Sequence, residues 1–197
     1  FLLEIDGNCC SSGWELTDSR IVADPPGTVI TLRHTLLPLF LEIDTRTCGG
    51  GFFRRSARLT NTSQDRSIGL GLVRPLSGAL WPMADSLSEN LAERGTAPYR
   101  AAWMRDIEWS TEGNFTWQDL PANADIIFGS SRGRSGYSTP FAVLENCIYG
   151  GYCLLSLAWS ANWVMQFRSD QNRTSSAKIL FSMGPVAPVP MRLIDPG

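Results

Sequence analysis

The strongest constraint on the fold is a two-residue alternation of apolar and polar side chains that recurs along the chain. In Thr28–His34 (TVITLRH) it places Val29, Thr31 and Arg33 on one face and Ile30, Leu32 and His34 on the other. That period belongs to a pleated strand, whose successive side chains point to opposite faces, and not to a helix. Pro38–Thr47 begins apolar and then sets Leu41 and Ile43 against Glu42 and Asp44. After Gly49-Gly50-Gly51 the alternation resumes in Phe52–Asn61, with Phe53, Arg55, Ala57 and Leu59 opposite Arg54, Ser56 and Arg58. Two alternating runs around a glycine cluster predict a hairpin.

Further strands are predicted over Ile68–Pro75, Tyr99–Trp109, Ile126–Ser130, Phe141–Cys147, Tyr152–Trp159, Trp163–Ser169 and Ala177–Met183. Their turns fall at Gly150-Gly151, Ser160–Asn162 and Gln171–Arg173. Residues 78–98, rich in Pro, Ser, Glu and Gly, read as a long loop with one short helix over Ala84–Ala92. A polar connection holds Asn114 and Pro121, and Gly129–Thr139 reads as a loop. The Pro-rich Pro185–Gly197 reads as a last edge strand running into a linker. Short strands at regular spacing predict an all-β sandwich or barrel. The 197 residues suit one such domain, so 1–197 is expected to be a single unit.

Charge and cysteine usage exclude several functions. A formal net charge of −2, from 17 basic and 19 acidic residues, argues against a nucleic-acid partner. The longest apolar runs, Leu36–Leu41 and Cys153–Trp159, are far short of the ~20 residues of a membrane-spanning helix, so no membrane partner is expected. An opening at Phe1 with no basic, apolar leader reads as a fragment or a processed product. The five cysteines include no C-x-x-C pair and accompany a single His, so neither a metal site nor a cofactor is expected. Around the Gly150-Gly151 turn, a two-residue loop would set Ile148 opposite Cys153, and a loop over Tyr149–Gly151 would set Cys147 opposite Cys153. Two buried free thiols are the simpler expectation. Sequons at Asn61, Asn114 and Asn172 permit secretion without showing it, and the compartment stays open.

Few residues could carry chemistry. A nucleophilic triad would have to use His34, which is expected to be an exposed or half-buried strand-end residue. The carboxylate pairs Asp106/Glu108 and Glu42/Asp44 have the spacing of a strand face, about 7 Å, but a solvated outer face produces the same pattern. No catalytic residue is assigned. Aromatic side chains point instead to sugar contact, because sugars have apolar C–H faces that lie on rings. The candidates are Trp81 in the long loop, and Trp109 and Trp117 beside the 110–116 connection. Trp81 and Trp109 are taken as the substrate-binding pair. Trp103, Trp159 and Trp163 read as core or turn packing, and Trp14 has no distinguishing context.

Several segments, in order, resemble the N-terminal domain of glycoside hydrolase family 36, the α-galactosidase group. Gly13-Trp14-Glu15-Leu16, Thr31–His34 and Leu36–Glu42 are similar to its first strands. Arg54–Asn61 with Thr62-Ser63 resembles its R-x-x-R-L-x-N-x-S strand and turn. Arg132–Ser135 through Thr139–Asn146 resembles R-G-x-S-x-x-x-P-F-x-x-L. Gly151–Trp163 (GYCLLSLAWSANW) resembles G-x-x-x-x-x-L-x-[WY]-S-G-N-W, with Ala161 where Gly is usual, and Met183-Gly184 fits the strand end that follows. The resemblance implies a β-supersandwich of the galactose mutarotase kind, with two large, mainly antiparallel sheets and at most short helices. In that family such a domain precedes a (β/α)8 barrel that supplies an Asp nucleophile in K-x-D-x-N and an Asp acid. The sole lysine, Lys178, is followed by Ile179-Leu180 instead, and no alternating β/α region occurs. The chemistry of such a parent would belong to the barrel, this chain's expected partner.

No residue of the family's sugar sites carries over to this sequence. The expected role is a non-catalytic domain supporting assembly and the neighbouring barrel, with room for a homo-oligomer and for carbohydrate as a ligand. The alternatives are an independent carbohydrate-binding module and a complete supersandwich epimerase or lyase.

Overall fold

The computed structural model describes residues 1–81, 97–104, 115–132, 139–172, 175–186 and 192–197. In chain order the strands are β1 (Leu2–Ile5), β2 (Asn8–Cys9), β3 (Trp14–Ala23), β4 (Pro26–His34), β5 (Leu39–Thr47), β6 (Phe53–Asn61), β7 (Ile68–Arg74), β8 (Leu76–Leu80), β9 (Tyr99–Met104), β10 (Phe115–Leu120), β11 (Asp125–Ser130), β12 (Phe141–Asn146), β13 (Tyr152–Ser156), β14 (Trp163–Asn172), β15 (Ser175–Pro185) and β16 (Arg192–Ile194). No helix occurs among the described residues. The expected helix over Ala84–Ala92 lies outside them.

The all-β class stands; among the described residues the strands form four antiparallel sheets of four, where two large ones were expected. One physical cause is visible at Pro75, which separates β7 from β8. Proline has no N–H to donate to a ladder, and the two strands on either side of it belong to different sheets. The chain also divides into two compact units. One is Phe1–Leu76 with Ala187–Gly197, and the other is Ser77–Val186.

The first unit is a sandwich of the sheets β16–β7–β1–β2 and β3–β4–β5–β6. The alternation in β5 acts as expected: Leu39, Leu41 and Ile43 are buried while Glu42 and Asp44 are half-buried on the other face. Register aligns Leu32 with Leu41 and Leu41 with Leu59, so leucines run across three strands. Leu3, Ile5 and Ile68 of the other sheet join the same core. Each such side chain contributes about 1.5–3 kcal/mol on burial. The β5–β6 hairpin turns through Gly49, Gly50 and Gly51, all with positive φ (80°, 58° and 80°). Three successive left-handed residues are tolerable only for glycine. At the other end of the chain, β16 lies antiparallel on β7. The predicted last edge strand is therefore present.

The second unit contains the sheets β10–β9–β12–β13 and β11–β14–β15–β8. Trp103 of the first stacks on Phe128 of the second at 4.7 Å, and Phe128 also meets Trp163 and Phe167. At Gly129 a Cβ atom would stand 2.1 Å from the Trp163 carbonyl oxygen, so only glycine lets β11 lie against β14. The sequence does not predict β1 or β2 of the first unit, nor β8 or β10 of this one. β8 sits at the start of the supposed long loop, and β10 occupies what was read as a polar connection. In β10 only Leu120 is buried, so the chain shows no inward stripe there. The register of β10 against β9 is nonetheless continuous over six residues.

Candidate functional site

The register of β10–β9–β12–β13 sets rows of side chains across one face of the sheet. Trp117 lies opposite Ala102, Ala102 opposite Val143, and Val143 opposite Leu154. In the next row Asp119 lies opposite Arg100, Arg100 opposite Glu145, and Glu145 opposite Tyr152. Phe115 and Phe141 stand on the other side of the Trp117 row, with ring centres 6.2 Å apart. The opposite face, with Ala101, Trp103, Ala142 and Leu144, is buried. The residues that alternate out of that core therefore gather on the first face.

The charged row is knitted together. Arg100 Nε is 3.1 Å from Asp119 Oδ1, and its Nη1 is 3.6 Å from Glu145 Oε2. The guanidinium lies 5.2 Å from the centre of the Trp117 ring, a cation–π distance. Tyr152 donates its hydroxyl to Glu145 Oε1 at 3.1 Å. That hydrogen bond, and then the charge of Glu145, push the phenol above its ordinary range. The Tyr152 ring meets Trp117 edge-on at 6.3 Å and Trp117 meets Phe115 edge-on at 5.9 Å. Tyr152 is 67% and Leu154 49% exposed. The result is a fixed ring cluster beside two carboxylates and a guanidinium, at the surface.

Of the two described aromatic candidates, Trp81 and Trp117, Trp117 is brought into this face. Trp81 is half-buried, stacks on Tyr99 with centroids 6.1 Å apart, and its carbonyl accepts the Tyr99 hydroxyl at 3.0 Å. That environment packs Trp81 against Tyr99. Trp109 lies outside the described residues. Trp103 and Trp163 are buried, and Trp159 donates its indole N–H to the Asn162 carbonyl in the turn before β14, as expected. Trp14, without context in the sequence, donates its indole N–H to Cys10 O at 2.8 Å and sets its ring edge-on to His34 at 4.9 Å.

His34 differs from expectation. It is buried, because its Nδ1 accepts hydrogen bonds from the backbone N–H of Leu36 (3.2 Å) and Leu37 (3.1 Å) and so caps the turn after β4. It also lines a pocket of about 370 Å³ with Asp6, Cys9, Cys10 and Arg66. Arg66 is paired with Asp6 at 2.8 Å, and Asp6 in turn accepts the Gly69 N–H. Asp106 and Glu108 lie outside the described residues. Of the other pair, Glu42 is 3.9 Å from Arg20, while Asp44 is bound by Arg46, whose hydrogen bond holds its carboxyl below the ordinary carboxylate range. A carboxylate so stabilised is a poor proton donor.

The cysteine hairpin adopts neither expected register. Leu144 pairs with Cys153 and Glu145 with Tyr152, while Cys147 stands in a turn spanned by the Asn146 N–H to Gly151 O bond. The Asn146 side chain decides this by accepting from the Ile148 and Tyr149 N–H groups. Cys147 and Cys153 are free thiols; Cys153 is half-buried and Cys147 exposed, so the expected burial of both is not found. Desolvation raises the pKa of Cys10, of Cys153 and, helped by the charge of Glu145, of the more exposed Cys147, which disfavours the nucleophilic thiolate. Among the described residues no group of acidic, His and Cys side chains is placed to hold a metal. No helix among them is long and apolar enough to cross a membrane. The Asn61 sequon is closed by folding, since Asn61 is 1% exposed and its amide donates to the carbonyls of Arg66 and Ile194. Asn114 lies outside the described residues, and the Asn172 backbone pairs with Ser175 at the end of the β14–β15 hairpin.

No family model matches the sequence, and no curated protein matches it. Solved structures do. The chain superposes over 100% of its length on 28% of the family 36 α-galactosidase AgaA of Geobacillus stearothermophilus, with TM-score 0.71 and 18% identity. It has the fold of one region of these enzymes. AgaB of the same organism gives TM-score 0.71 and 18% identity, with 100% of this chain on 27% of that one. The Lactobacillus brevis α-galactosidase gives TM-score 0.67 and 14% identity, with 93% on 29%. The chain thus spans little more than a quarter of the length of the enzymes whose fold it shares. At these identities the likeness speaks for backbone architecture, and the residues of the Trp117–Tyr152 face have to be judged on their own chemistry.

Proposed function

We propose that this chain is a non-catalytic, N-terminal-type domain of an α-galactosidase-like glycoside hydrolase, which supports a neighbouring catalytic barrel. The observation that carries this reading is coverage. The whole chain is accommodated in about 28% of an α-galactosidase, with no part left over. The order of the motif resemblances agrees with it, from Gly13-Trp14 to Met183-Gly184. The described carboxylates add support: Asp44 is bound by Arg46, and Glu145 and Asp119 flank Arg100. Each of these three stands against a guanidinium.

Two measurements test the proposal. The purified chain, shown to be folded by circular dichroism, is expected to release no nitrophenol from nitrophenyl α-galactoside; turnover that co-purifies with the chain would overturn it. The reading frame beyond Gly197 is expected to encode a (β/α)8 barrel with a K-x-D-x-N strand end. A frame that stops, or encodes another kind of domain, would sink the assignment to a hydrolase.

A further inference from the structure

We infer that the exposed face of the β10–β9–β12–β13 sheet is a binding site for neutral oligosaccharide, centred on Tyr152 and bounded by Trp117, Glu145, Arg100 and Leu154. The inference does not depend on the nature of the parent enzyme. A sugar ring asks for two things at once: an apolar plane for its C–H face, and paired donors and acceptors for adjacent hydroxyls. Both are present within one row and its neighbour. Tyr152 offers an exposed ring whose position is already set by the hydroxyl bond to Glu145 and the edge contact with Trp117. Little ordering entropy is then left to lose on binding. Leu154 extends the apolar surface along the same strand.

The polar half is equally fixed. Glu145 carries acceptor oxygens beside the guanidinium of Arg100, which is rich in donors, and Asp119 adds a second carboxylate on the far side. A side-by-side carboxylate and guanidinium can accept from one hydroxyl and donate to its neighbour. The row carries two negative charges and one positive, which disfavours phosphate-bearing ligands. A protein partner fits less well, because the centres of protein interfaces are depleted of Asp and Glu, whereas here two carboxylates, Asp119 and Glu145, stand among the rings. The face is shallow and buries little of a ligand, so affinity in the millimolar range is expected.

The test is isothermal titration calorimetry of the 197-residue chain with raffinose and with cellohexaose. A saturable heat with at least one of them is expected. Tyr152→Ala should weaken it by about tenfold or more, and Glu145→Gln should weaken it while keeping the ring. Phe53→Ser, an exposed apolar residue on β6, should leave it unchanged. Tyr152 is exposed, so its removal is expected to leave the circular dichroism spectrum and melting temperature intact. The proposal is overturned by the absence of saturable heat with both sugars, or by undiminished binding in folded Tyr152→Ala. Concentration-dependent self-association that Tyr152→Ala abolishes would also overturn it, by making the face a contact between copies.

Discussion

Replacing Asn61 is expected to loosen the end of the chain more than any surface change. Its Nδ2 donates to Arg66 O at 2.6 Å and to Ile194 O at 3.1 Å, while its Oδ1 accepts from the Ser63 N–H at 3.0 Å. The first and third bonds close the turn between β6 and β7, and the second ties β16 to it. The side chain is buried, so no water takes over when it is cut away. At about 1 kcal/mol net per bond, and more for each polar group left buried without a partner, Asn61→Ala should cost roughly 3–5 kcal/mol. That is a large share of the ~5–15 kcal/mol that holds a domain together. Asn61→Asp is the sharper probe. It keeps the acceptor for Ser63 but turns a carboxylate oxygen towards two carbonyls, so at neutral pH it should be at least as destabilising as alanine. The gap should narrow under acid, where the introduced carboxyl can be protonated and donate. Urea unfolding gives the magnitude, and hydrogen exchange at Leu70, which lies opposite Arg192, reports whether β16 is released first. An Asn61→Asp protein as stable as the parent at pH 7 would refute the reasoning.

Tyr99 supplies a pH-dependent prediction. It is fully buried, donates to Trp81 O, and its phenol is pushed up to about 12, first by burial and then by Tyr149. The folded value lies above the unfolded value of about 10, so the stability contributed is fully present below pH ~10 and is lost as pH rises towards 12. Tyr99→Phe should cost about 1 kcal/mol near neutrality but escape that loss, so the two melting curves converge between pH ~10 and ~12; a constant gap would refute it. His34→Ala removes the acceptor for two backbone N–H groups and the edge contact with Trp14. Its denaturant midpoint should fall by the equivalent of about 2 kcal/mol, and an unchanged midpoint would show that the turn after β4 does not need its cap.

The alternation in Thr28–His34, Pro38–Thr47 and Phe52–Asn61 was enough to determine three strands, the hairpin between the last two and the buried face of β5, because side-chain direction in a strand follows from sequence position alone. The glycine turn at Gly49–Gly51 was legible for a similar reason, since the backbone there has a conformation other residues resist. What the sequence could not determine was anything set by partners distant in the chain. β10 has almost no buried stripe and exists through its pairing with β9. His34 became a buried cap through groups that follow it, and Asn61 a clamp through a strand 133 residues away. Trp81 and Trp117 look alike in sequence, yet one is stacked on the fully buried Tyr99 and the other stands in a surface cluster. Tertiary structure decided that difference, because a ring's role depends on which residues the register places opposite it.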